Sequence, residues 1–98
     1  MRKLLHLLIN GKVQGVGYRA FFEDKAVALD VEGWVRNRKN GAVEAVVAGE
    51  AQNVDRLIDT CWKGPPACRV ETIEPSETNE EMLSNRPKGK KFTMLPTI

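Results

Sequence analysis

Gly11-Lys12-Val13-Gln14-Gly15-Val16-Gly17-Tyr18-Arg19 joins an apolar run, Leu4 to Ile9, to a helical pattern that begins near Tyr18. The run reads as a buried strand. The segment is therefore a glycine-bearing strand-to-helix turn that ends in an arginine. Such a turn can aim several backbone N–H groups at one spot, and it sits at the positive end of a helix. Arg19 adds a permanent charge and a planar fork of donors. This chemistry suits an oxyanion with several oxygens, and phosphate fits best.

Outward from the turn, Leu4–Asn10 is apolar at almost every position and predicts a central strand. Tyr18, Phe22, Ala26 and Leu29 recur at helical spacing and predict a first helix over Tyr18–Leu29. Asp30 follows where a glycine would more easily take a left-handed turn. A second strand, Val31–Asn37, puts Val31, Gly33 and Val35 on one side and Glu32, Trp34 and Arg36 on the other. Arg38-Lys39-Asn40-Gly41 makes a hairpin turn, with Asn-Gly as its signal, and a third strand returns antiparallel over Ala42–Ala48. Val54, Leu57, Ile58 and Cys61 stripe a second helix over Ala51–Trp62, which Gly64-Pro65-Pro66 stops.

A fourth strand begins near Cys68 and includes Val70, Thr72 and Ile73. Glu74–Lys91 reads as a long polar loop, and Phe92–Leu95 as a short final strand. This order predicts a single domain over residues 1–98 of the α+β class. The arrangement is a ferredoxin-like split βαβ sandwich: an antiparallel sheet of five strands with two helices on one face.

Ninety-eight residues build one core. A net charge of +2, with its basic residues scattered, is too weak to argue for a nucleic-acid surface. Met1-Arg2-Lys3 before Leu4–Ile9 faintly imitates a secretion signal, but the apolar run is short and no cleavage site follows. It is also too short to span a membrane. Cys61 and Cys68 match no zinc spacing, and His6 is the only histidine. The two cysteines read as free thiols in a reducing compartment, which places the protein in the cytoplasm. His6 reads as a sheet-face histidine with no catalytic task.

Four readings of Gly15-Val16-Gly17-Tyr18-Arg19-Ala20 compete. A dinucleotide fingerprint needs a doubly wound parallel sheet and an acidic residue closing the next strand, but that strand ends in Arg36-Asn37 and turns into a hairpin. A Walker-type loop fails because no Gly-Lys-Ser/Thr is present. A purely structural turn leaves Arg19 opposing the helix dipole at the first turn, which a bound anion would explain. A phosphate cradle made by the N–H groups of Gln14 to Arg19, clamped by Arg19, accounts for both features. In a split βαβ fold the first and second strands flank the third, so Asn37 can reach the same edge of the sheet. Asn37 is no base, but its side chain can hold a water.

These residues resemble the acylphosphatase family. Gly11-x-Val13-Gln14-Gly15-Val16-Gly17-Tyr18-Arg19 and Gly33-Trp34-Val35-Arg36-Asn37 carry the resemblance, with Asn40-Gly41-x-Val43-Glu44, Gly49 and Gly64-Pro65-Pro66 in support. Asp30 and Asn40 depart from the residues the family commonly has, outside the two main motifs. The resemblance implies a metal-independent hydrolase, without cofactor, that splits the carboxyl–phosphate bond of acyl phosphates. Arg19 and the turn from Gln14 through Gly15, Val16, Gly17 and Tyr18 would bind the phosphate, and Asn37 would orient the attacking water. Inorganic phosphate would be product and inhibitor. The chain shows no large exposed apolar stripe, which favours a monomer, and no nucleic-acid or membrane partner is expected. Two rivals are a non-catalytic RNA-binding module, for which Trp34 is the only strong aromatic on a middle strand, and a domain specialised for a carbamoyl group.

Overall fold

The computed structural model describes the whole chain, Met1–Ile98. Its sheet comprises β1 (Arg2–Lys12), β2 (Glu32–Asn37), β3 (Val43–Glu50), β4 (Arg69–Glu77) and β5 (Phe92–Met94), in the spatial order β4-β1-β3-β2-β5. β1 and β2 therefore flank β3 and do not pair with each other. Leu7, Ile9, Val35, Val43 and Val47 pack against Tyr18, Phe22 and Ala26 of α1 (Tyr18–Ala28) and Val54, Leu57 and Cys61 of α2 (Ala51–Lys63). Each large side chain so buried contributes roughly 1.5–3 kcal/mol, so this layer dominates the stability.

Three details differ from the sequence expectation. β1 is longer at both ends, because Arg2 and Lys3 extend the ladder to Glu50 and Gly49 of β3 despite their polarity. The sheet is not wholly antiparallel: β2 and β5 run parallel, with Gly33 opposite Phe92 and Val35 opposite Met94. The chain leaves β4 at one edge, crosses the second face of the sheet and enters β5 beside the start of β2.

Nor is Glu74–Lys91 one long loop. Glu74–Glu77 continues β4 along Leu5–Leu8. A short helix, α3 (Glu80–Leu83), follows, with the Asn79 side chain accepting from the Met82 N–H at 3.0 Å as its N-cap. α3 lays Leu83 on the second sheet face beside Trp34, Val46, Ala48 and Leu95. The indole of Trp34 donates to the Met82 carbonyl at 2.7 Å. The sequence hides this because β4 is an edge strand whose polar residues face water.

Asp30 takes the left-handed conformation, with φ 59°. Its N–H donates to the Val27 carbonyl and that of Val31 to the Ala26 carbonyl, the paired closure that ends many helices. An ion pair with Lys91 holds its side chain.

Candidate active site

The turn from β1 to α1 is shaped by Gly15 and Gly17, whose φ angles are 72° and 79°. A Cβ at either would meet no atom within 4 Å. The glycines are thus required by backbone conformation and not by crowding, since an L-residue held this way costs about 1–2 kcal/mol. Gly17 is the N-cap of α1, no side chain caps that helix, and its first turn holds no acidic residue. The leading N–H groups of a helix have no partner within it, so those of α1 are available to an anion.

A cavity of about 230 Å³ opens here, lined by Gly15, Gly17, Tyr18 and Arg19 with Asn37 from the end of β2 and Met94 from β5. Arg19 has no carboxylate partner, whereas Arg2, Lys3, Arg38, Arg86 and Lys91 all do. The Asn37 side chain forms no hydrogen bond within the protein, and its Oδ1 is buried without a partner. A polar atom left so costs about 1–3 kcal/mol, and such costs concentrate where substrate completes the bonding.

Gly15, Gly17, Tyr18, Arg19 and Asn37 are thus gathered as the sequence suggested. Gln14 and Val16 do not line the cavity. Val16 packs against the main core. Gln14 turns its carboxamide to the β2–β3 hairpin, donating to the carbonyls of Arg38 at 2.7 Å and Ala42 at 2.8 Å. Sequence reasoning missed Val13, Ala20 and Met94, which supply the apolar wall. Val13 and Ala20 adjoin named motif residues. Met94 depends on the parallel pairing of β5 with β2, for which the sequence carries no signal.

Behind the cradle, Tyr18 is buried and its hydroxyl donates to the Cys61 carbonyl at 2.9 Å. Burial raises the pKa of Tyr18 and pushes that of the Cys61 thiol up to about 12. Cys61 and Cys68 are both free, and neither lines the cavity. No three His, Cys, Asp or Glu side chains are gathered where they could hold a metal ion. A larger cavity, about 540 Å³, lies at the other end of β2, between Glu32 and the 84–91 segment. It contains none of the motif residues and no glycine-shaped helix terminus of this kind, so the smaller cavity is the candidate site.

Trp34 is fully buried, which removes the stacking platform that an RNA-binding sheet needs.

A sequence model of the acylphosphatase family matches residues 5–93. The chain is 44% identical to the acylphosphatase of Bradyrhizobium diazoefficiens over 97 residues, covering 99% of this chain and 98% of that protein. It is 47% identical to the acylphosphatase of Rhodopseudomonas palustris strain BisB18 over 90 residues, covering 92% and 91%. An acylphosphatase structure from Coxiella burnetii superposes with a TM-score of 0.82 at 31% identity, covering 96% of this chain and 93% of that one.

Proposed function

The chain belongs to the acylphosphatase family and hydrolyses acyl phosphates to a carboxylate and inorganic phosphate; from that premise we propose that Arg19 and the turn amides hold the phosphate while Asn37 holds the attacking water. One observation carries this reading: an arginine without a carboxylate partner and an asparagine without a hydrogen-bond partner line the same cavity at an uncapped helix N-terminus.

The division of labour follows from the substrate. The water oxygen attacks phosphorus, the bond from phosphorus to the acyl oxygen breaks, and the carboxylate leaves with the bonding electrons. A carboxylate is a good leaving group, so positioning and charge stabilisation suffice. Arg19 offers a bidentate fork to two phosphate oxygens. The N–H groups of the turn residues that line the cavity, Gly15, Gly17, Tyr18 and Arg19, take up the others, and they tighten as charge moves in the transition state. Asn37 aligns the water but takes no proton, so the proton passes to the phosphate itself. A thiol nucleophile does not fit, because Cys61 is buried with its pKa near 12 and outside the cavity.

The same reading treats residues 1–98 as one catalytic domain, monomeric and cytoplasmic, with phosphate as product inhibitor. The two free thiols fit a reducing compartment. Of the exposed large apolar side chains, Met1 and Ile98 are the first and last residues, and Val27, Trp62 and Met94 belong to α1, α2 and β5. No helix is long and apolar enough to cross a membrane. The test is hydrolysis of benzoyl phosphate in the presence of a chelator, with inorganic phosphate titrated in. Undiminished turnover with competitive inhibition by phosphate is expected. Loss of turnover on chelation would overturn the metal-independent scheme, and non-competitive phosphate would overturn the cradle.

A further inference from the structure

We propose that Gln14 is a positioning residue whose carboxamide fixes Asn37 relative to the phosphate cradle. The inference rests on Asn37 as the water-holding group. The cradle grows out of β1 and Asn37 ends β2, while β3 runs between these strands. Adjacent strands lie about 4.8 Å apart, so roughly 10 Å separates the two backbones. The ladder ties each half of the site to β3, but beyond the strand ends it does not tie one half to the other.

Gln14 makes that tie. Its Nε2 donates to the Arg38 carbonyl at 2.7 Å and the Ala42 carbonyl at 2.8 Å. Both partners are acceptors, so only the amino end of the carboxamide can face them. The two carbonyls frame the base of the hairpin, where the Arg38 N–H also donates to Ala42 at 2.8 Å. Arg38 directly follows Asn37. The hairpin is gripped from the sheet as well: Arg38 Nη1 donates to Glu44 Oε1 at 3.1 Å, and Glu44 Oε2 lies 2.7 Å from His6 Nε2. The peptide that carries Asn37 is therefore clamped between the cradle and the sheet. Gln14 thus acts through its side chain on the hairpin that carries Asn37, from a turn whose next residues line the cavity.

In-line attack tolerates little slack, and a misplacement of about 1 Å costs on the order of 100-fold in rate. Two substitutions remove the tie differently. Gln14→Glu keeps the shape but turns a carboxylate oxygen on the two carbonyls. Gln14→Met keeps the length and carries neither donor nor charge. For both, kcat for benzoyl phosphate is expected to fall on the order of 10- to 100-fold. The inhibition constant for inorganic phosphate should stay within about twofold, since Arg19 and the turn amides remain. In an Asn37→Ala background the same substitutions should change kcat by less than about threefold, because no placed water is left to lose.

Weakened phosphate inhibition with kcat retained would make the Gln14 side chain a phosphate ligand and overturn the proposal. An equal fall of kcat in both backgrounds, or loss of folding in both variants, would make it a scaffold residue and do the same. If Asn37→Ala keeps kcat, the assignment of Asn37 fails. If Asn37→Ala loses kcat and both Gln14 variants keep it, the present inference alone fails.

Discussion

The hydroxyl of Tyr18 donates to the backbone carbonyl of Cys61 at 2.9 Å, joining the first residue of α1 to the last turn of α2. The bond has a sequence cause. In a continuing helix the Cys61 carbonyl would accept from residue 65, but Pro65 has no N–H. Tyr18 satisfies that carbonyl and seats the helix end that bears Arg19. Tyr18→Phe keeps the ring and strands a buried carbonyl, at a cost of about 1–3 kcal/mol. Urea unfolding should show that loss with phosphate inhibition retained. Unchanged stability would show that the carbonyl finds another partner.

Arg19→Lys keeps the charge and loses the fork. A point charge matches two phosphate oxygens poorly, so turnover should fall on the order of 100- to 1000-fold, the scale of removing one aimed donor at a developing oxyanion. Phosphate inhibition should weaken with it. Steady-state kinetics with benzoyl phosphate measures both. Near-normal turnover would remove Arg19 from the site.

Stability should change at both ends of the pH range. Burial opposes ionisation of Glu44, but hydrogen bonds from His6 and Arg38, with their charges, prevail and hold its pKa below the usual 4.5. A folded pKa below the unfolded one contributes stability above about pH 4.5, which is lost as pH falls through the lowered value. Glu44→Gln should therefore differ from the native chain near neutrality and converge with it in acid. Burial raises the Cys61 pKa from 9.0 to about 12, so its contribution is complete below pH 9.0 and lost on the way to 12. Cys61→Val should flatten the alkaline limb of the stability profile. An unchanged limb would assign the alkaline loss elsewhere.

Much of the fold and of the site is legible in the sequence. Tyr18, Phe22 and Ala26 announced α1 by period, and the glycines with Arg19 announced an anion site by their place before a helix. Asn37 was legible only through topology, because a split βαβ order sets the ends of β1 and β2 at one edge. The role of the Gln14 side chain was not legible, since its partners are backbone carbonyls whose orientation depends on the hairpin. Met94 was hidden for the same reason: a three-residue strand carries no register signal. α3 escaped because Leu83 and Met82 sit alone in a polar stretch, and their apolar partner is a tryptophan on the side of β2 that also carries Glu32 and Arg36.

The division of the site between Arg19 and Asn37 is tested most directly by measuring kcat and phosphate inhibition side by side for Asn37→Ala. The cradle is intact in this variant and only the water-holding carboxamide is gone. A fall in kcat on the order of 100-fold or more is expected, with the phosphate inhibition constant within about threefold of the native value. Native kcat, or inhibition lost together with turnover, would contradict the division of the site between Arg19 and Asn37.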